Sequence, residues 1–156
     1  MTRWIRFGSV LLLVLASAPT GAAGDGDTVE KAVLKAHHEM KVAAEALDAD
    51  SFFSFILDEA RGPVIQDGRL FSSRAEAFAV VERGFEGVAR VERVYESEDV
   101  TVISDEAALL TGNGTSTVTL GDGRRLSGPF AVSLVFVRRD GAWKVLHGHY
   151  STPNPR

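Results

Sequence analysis

The chain has 156 residues, with 17 basic and 21 acidic side chains, a formal charge of −4 and no cysteine. This is the length of one ordinary domain with a single core. A modestly acidic chain lacks the basic face that nucleic acids require, so nucleic acid is not an expected partner. Because no disulfide can form, burial alone must stabilise the fold.

Residues 1–23 predict a secretory signal peptide. Arg3 and Arg6 form a short basic region, residues 10–16 an apolar run, and residues 21–23 a small-residue cleavage site. The apolar run is shorter than the about 20 residues that span a bilayer, so an uncleaved anchor is the less favoured alternative. Cleavage after Ala23 removes both arginines, which makes the mature chain more acidic. We expect export to a periplasm or the exterior, with no membrane attachment afterwards.

Helices open the mature chain. Apolar residues at spacings of three and four from Val29 to Leu47 predict a first helix, capped by Asp27 or Thr28 after a flexible lead over residues 24–27. Residues 48–50 end this helix and cap a short second one.

A small strand pair and a third helix follow. Residues 64–71 predict two short strands about an Asp67-Gly68 turn. Ser73 and Glu76 have the spacing of a capping box, which predicts a third helix directly after them.

Four long strands complete the domain. The Asp122-Gly123 and Asp140-Gly141 dipeptides favour two-residue type I′ hairpin turns, so the strands should form an antiparallel meander. Helices first and strands afterwards predict an α+β domain over residues 24–152, followed by a proline-rich tail over residues 153–156. The predicted strands are residues 91–103, 107–120, 124–138 and 143–150.

The last strand is the most distinctive. Trp143, Val145, His147 and His149 alternate with other residues, which predicts that they share one face. Imidazoles can transfer protons, bind a ligand or coordinate a metal. The structural alternative is that the strand-end backbone or neighbouring hydroxyls satisfy both rings. A metal would need further ligands such as His37, and no second motif of fixed spacing supplies them, so neither a metal nor a cofactor is expected.

The terminal segment reads G-x-W-K-V-x-H-x-H-x-S-x-P. It resembles the end of SnoaL-like and ketosteroid-isomerase-like domains of the nuclear transport factor 2-like superfamily, and the association domain of calcium/calmodulin-dependent protein kinase II ends in a similar H-x-H-x-S stretch. Residues 47–50, 67–73 and 128–130 extend the resemblance. It implies a cone-shaped fold, with three N-terminal helices packed on the concave face of a curved antiparallel sheet and a pocket between them.

The resemblance leaves the activity open, because members include enzymes, binding proteins and assembly modules. Its enzymes commonly pair an acidic base with a tyrosine or histidine. The candidates Asp58, Glu59, Asp99 and Tyr95 match no catalytic motif of the family.

Hairpin register predicts the pocket lining. Two-residue turns pair Leu134 with His147 and Phe130 with Thr115, and cross-strand partners share a face. A bulge in either hairpin would flip one strand, and Gly112, Gly114, Gly128 and Pro129 are candidate sites. The predicted ligand-binding residues are His147, His149, Asn113, Thr111, Thr115, Trp143, Phe130 and Leu134.

The opposite sheet face should carry Leu110, Val118, Val135 and Val137 among small residues. Relatives pair through such faces, so the resemblance implies a homodimer. A monomer with a partly apolar exposed sheet is the alternative.

Three functions follow. The leading hypothesis is an exported protein that binds a small, mostly apolar molecule, with His147 and His149 at the polar end of the pocket. The second is an isomerase, dehydratase or hydrolase with a histidine general base, for which the same two histidines are the catalytic candidates. The third is a dimeric assembly module with no active pocket.

Overall fold

Three helices precede and interrupt a six-stranded sheet in the computed structural model, which describes residues 23–59 and 61–153. The predicted α+β class and element order are confirmed. The helices are α1 (Ala23–Glu45), α2 (Ala49–Phe53) and α3 (Arg74–Phe85), and the strands are β1 (Val64–Gln66), β2 (Arg69–Phe71), β3 (Val88–Ser104), β4 (Ala107–Leu120), β5 (Arg125–Arg139) and β6 (Ala142–Ser151).

Two predictions from the sequence concern residues that lie largely outside this range. Residues 1–22 of the predicted signal peptide and residues 154–156 of the predicted tail are not among the described ones. Across the described part of the chain, no helix combines the length and the apolar character needed to cross a membrane.

Side-chain caps set the starts of α2 and α3. The Asp48 carboxylate accepts the Ser51 N–H at 2.9 Å, and the Ser73 hydroxyl accepts the Glu76 N–H at 3.2 Å. Each cap satisfies a donor that the first helical turn leaves unpaired. The start of α1 differs from prediction, because the helix begins at Ala23, ahead of the expected cap.

The sheet has the order β2-β1-β6-β5-β4-β3, with β3 to β6 as the predicted antiparallel meander and β1 parallel to β6. Helix α1 packs against β3, β4 and β6, while α2 contacts α1 and α3. The core lies between the helices and the inner sheet face. Its fully buried side chains include Val33, Met40, Phe53, Leu110, Leu134, Phe136 and Val145.

The β5–β6 hairpin begins as predicted and then changes register. Asp140 and Gly141 both have positive φ, and Phe136 pairs with Val145. Beyond that pair Val135 faces His147, so Leu146 forms a β-bulge.

The bulge reverses the expected faces of β6. Gly148 now pairs with Leu134 and Tyr150 with Val132 on the inner face, whereas His147 and His149 lie on the outer face. The prediction that both imidazoles point inward is therefore wrong. Packing explains the choice, since a Cβ on Gly148 would lie 3.1 Å from both the Leu134 and Tyr150 side chains, so the glycine leaves room for the Tyr150 ring.

The β4–β5 turn also differs by one residue. Leu120 donates its N–H to the Arg124 carbonyl at 2.8 Å, which closes a three-residue loop over residues 121–123. Gly123 alone in this loop has positive φ, as in a type I turn followed by a glycine bulge. The Asp122 carboxylate accepts the Arg124 N–H at 3.0 Å and stabilises this geometry.

The longer loop inverts the predicted faces of β4. Leu134 pairs with Leu110 instead of Thr111, so Leu110 and Val118 lie on the inner face. Their assignment to the dimer face is wrong, while Val135 and Val137 stay on the outer face. The exposed outer side of β4 carries Thr111, Asn113 and Thr115.

Candidate ligand-binding cavity

A cavity of about 350 Å³ lies between α2, α3 and the inner face of the sheet. This volume is near the lower end of the range typical for small-molecule sites. Most of its wall is apolar, with polar groups contributed by β3, β4 and the ends of β1 and β6. The apolar lining includes Phe52, Phe53, Val81, Phe85, Val118 and Phe130.

Of the eight residues predicted to bind a ligand, Phe130 lines this cavity. Leu134 is fully buried in the core, and Trp143 packs against the core as a half-buried side chain. The other five lie on the outer face. Among them, the His147 Nδ1 donates to the Gly62 carbonyl at 3.0 Å, and the Asn113 amide bonds to Ser97 and Glu96.

Strand β3 supplies two polar groups that the predicted lining lacked, although Tyr95 was among the acid–base candidates. Arg93 and Tyr95 alternate with Val91, and all three line the cavity. They pair across the strands with inward-facing β4 positions, Arg93 with Ser116 and Tyr95 with Gly114. The alternation in the sequence shows that the three share a face, but the face itself depends on the register.

Tyr150 is the polar group that the β6 bulge brings inward. Burial raises the pKa of its phenol, and the nearby charge of Arg93 opposes that rise. Tyr150 is therefore a protonated hydroxyl at neutral pH. No pattern in the sequence predicted that Tyr150 points inward, because strict alternation from Val145 places it on the outer face.

His37 on α1 connects the cavity wall to an acid. Its side chain is buried, with the residue 3% exposed; Nδ1 lies 2.7 Å from Glu98 Oε1 and Nε2 lies 3.1 Å from the Tyr95 hydroxyl. Burial lowers the pKa of His37 and outweighs the hydrogen bond and charge of Glu98, which raise it.

The neutral imidazole has a defined hydrogen-bonding pattern. With Nδ1–H donating to the Glu98 carboxylate, Nε2 is the acceptor of the Tyr95 O–H. Burial raises the pKa of Tyr95 to about 12, so this phenol keeps its proton. Glu98, His37 and Tyr95 thus form a hydrogen-bonded chain that ends at the cavity. Within residues 23–59 and 61–153, no cluster of three metal-ligating side chains could hold a metal ion.

The low pKa of His37 predicts a specific pH dependence of stability. Below its ordinary pKa of 6.5 the unfolded chain takes up a proton that the folded protein resists, so the free energy of unfolding should fall as the pH drops below 6.5. His37→Gln should remove this component. Urea unfolding, followed by circular dichroism on both sides of this pH, measures it.

The exposed neighbour provides the matched control for this experiment. His38→Gln should leave the pH profile of the wild-type protein unchanged. Identical profiles for the wild type and His37→Gln would contradict a neutral, buried His37.

The sequence matches the family model of the SnoaL-like domain over residues 31–155. None of the curated proteins matches this sequence.

Solved structures give the same picture of the fold. A proposed dehydratase of the nuclear transport factor 2-like family from Streptomyces avermitilis superposes with a TM-score of 0.73 at 20% identity, over 83% of this chain and 99% of that one. A proposed scytalone dehydratase from Novosphingobium aromaticivorans gives 0.75 at 10%, over 83% and 87%. A proposed calcium/calmodulin-dependent protein kinase II association domain from Xanthomonas campestris gives 0.69 at 17%, over 80% and 87%. At these identities the likeness shows the fold, and it confirms the predicted resemblance.

Proposed function

Because the chain belongs to the SnoaL-like domain family, we propose that it binds a small, mostly apolar molecule in the cavity between α2, α3 and the sheet. The observation that carries this proposal is an open cavity of about 350 Å³ with apolar walls and a few polar groups, Arg93, Tyr95 and Tyr150 among them. Such a combination is typical of small-molecule sites. In this proposal, these three residues form the polar part of the site in place of His147 and His149.

Filling the cavity tests the proposal. Val118 lines it, and Val118→Trp should occupy part of the space that a ligand needs. The probe is N-phenylnaphthylamine, a neutral dye whose fluorescence rises in apolar surroundings. We expect saturable dye binding by the wild-type protein and an affinity at least about tenfold weaker in the variant, equivalent to about 1.4 kcal/mol.

Thr101→Trp is the matched control, since it adds the same ring at an exposed position of β3 that does not line the cavity. It should bind the dye like the wild-type protein. Absence of dye binding by the wild type, or equal binding by folded Val118→Trp, would overturn the proposal.

The Glu98–His37–Tyr95 chain favours a second function, an enzyme of the isomerase, dehydratase or hydrolase type. The Tyr95 oxygen can take a proton from a ligand while its own proton passes to His37 Nε2, and Glu98 stabilises the resulting imidazolium. The histidine general base is then His37.

The fate of a co-purified molecule separates the two functions. Mass spectrometry would find it unchanged after incubation with a binding protein and converted by an enzyme. Tyr95→Phe should stop the conversion without preventing capture.

We also propose a homodimer formed through the outer sheet face. From Thr111 to Thr117 on β4 and from Ser127 to Val137 on β5, the outward positions carry no charged side chain. This favours a covered face over a free one, on which charged side chains are usual. Light scattering tests it: Val135→Lys should reduce a dimer to monomers, and persistent association would mean that another face is used.

Export is proposed on the sequence of residues 1–23 alone. Sequencing the amino terminus of the protein from the producing cell checks it, with residue 24 expected first. An intact Met1 would contradict cleavage.

A further inference from the structure

Arg93 places a positive charge at the cavity wall without a matching acid. No carboxylate oxygen of the described residues lies within 4.0 Å of its guanidinium, and no hydrogen bond to the guanidinium is present there. Its half-buried side chain shares the inner face with Val91 and Tyr95 and lies opposite Ser116. A guanidinium brought into apolar surroundings is costly unless a partner satisfies it.

The surrounding acids are each engaged elsewhere. Glu45 accepts the backbone N–H of Arg93 at 2.8 Å and lies 3.5 Å from Lys41. Glu92 pairs with two other arginines, and Glu98 with His37. The guanidinium of Arg93 is therefore available to bind a ligand.

One acid lines the cavity itself. Asp67 Oδ1 accepts both the backbone N–H and the hydroxyl of Thr152, at 2.7 and 2.9 Å. These bonds hold the carboxylate beside the end of β6. Asp67 accordingly leaves the charge of Arg93 unpaired.

Tyr150 adds a neutral donor to the same cavity. Its hydroxyl forms no hydrogen bond with the described residues, whereas the Tyr95 hydroxyl is committed to His37. The charge of Arg93 lowers the pKa of both phenols, although burial raises each of them more strongly. A guanidinium and a protonated phenol thus line the same cavity, whose wall is mostly apolar.

We propose that the cavity ligand is a small apolar carboxylic acid whose carboxylate is held by Arg93 and Tyr150. This inference rests on the proposed function and names the chemical class of the ligand. The planar guanidinium matches a carboxylate in bidentate geometry, and Val118 and Phe130 contact the apolar body. A single positive charge suits a monoanion better than a phosphate dianion.

A matched pair of ligands tests it. Hydrocinnamate and hydrocinnamamide have the same apolar body and differ in the charged group. By titration calorimetry, we expect the wild-type protein to bind the acid at least about tenfold more tightly than the amide. Arg93→Gln should abolish this preference, so that the variant binds the acid and the amide with equal affinity.

Two further variants keep the experiment decisive. Arg90→Gln removes an exposed β3 arginine that pairs with Glu92, and should keep the wild-type preference. Arg93→Lys keeps the charge and loses the bidentate fork, so a reduced preference is expected even if Arg93→Gln does not fold.

The outcomes separate this inference from the proposed function. Dye binding by the wild type without preference for the acid, or an undiminished preference in Arg93→Gln or Arg93→Lys, would overturn the carboxylate site alone. If the wild-type protein binds none of the three probes, the dye, the acid and the amide, the proposed function is overturned as well.

Discussion

Replacing Gly114 by alanine is expected to destabilise the protein by about 3 kcal/mol. An added Cβ would overlap the Val94 carbonyl oxygen and lie 2.8 Å from Tyr95 Cα. Both are backbone atoms, so no side-chain rotation can relieve the overlap. Strand β3 would have to move away from β4, and this movement would disturb the Tyr95 hydrogen bond to His37.

Gly128 supplies the matched control for this substitution. It lies on β5, its φ is not positive, and a Cβ there would meet no atom within 4 Å. Gly128→Ala should change the free energy of unfolding by no more than about 0.5 kcal/mol. Urea denaturation measures both variants, and equal stabilities would mean that β3 and β4 are not as closely apposed at Gly114 as the structure has them.

The second large effect is expected at Arg74, which ties α3 to the end of α2. Its Nη2 donates to the Phe53 carbonyl at 2.7 Å, and its Nε donates to the Ile56 carbonyl at 3.0 Å. The Ile56 carbonyl lies beyond the end of α2, and the Phe53 carbonyl also accepts the Ile56 N–H at 3.0 Å. Arg74→Met keeps much of the aliphatic stem and removes these bonds, so we expect a loss of about 2 kcal/mol.

The same substitution should weaken ligand binding. Helix α3 contributes Val81 and Phe85 to the cavity wall, and the Arg74 bonds hold that helix against α2. Dye affinity should therefore fall together with stability. Arg83→Met, at the exposed end of the same helix, should change neither quantity; equal effects from the two variants would contradict the anchoring role of Arg74.

Local sequence patterns were sufficient to predict the order of the helices and strands. The Asp48 and Ser73 caps, the positive-φ turns at Asp67-Gly68 and Asp140-Gly141, and the alternating strands each depend on neighbouring residues. Each can be recognised in a short window of sequence, which is why the α+β class and the family resemblance were predicted correctly.

The site depended on two single-residue shifts in register. The three-residue loop at residues 121–123 inverted β4, and the Leu146 bulge inverted the end of β6. Since strand side chains alternate with a period of two, each shift exchanged the inner and outer faces beyond it. Phe130 stayed in the cavity because the prediction for β5 did not depend on either shift.

The sequence by itself determined which segments become helices and strands and that one sheet face is covered, because hydrophobic spacing and turn residues act locally. Only the tertiary structure decided that Arg93, Tyr95 and Tyr150 meet in the cavity while His147 and His149 lie outside. The reason is packing: the room left by Gly148 admits the Tyr150 ring beside Leu134, and a bulge is the backbone adjustment that places it there.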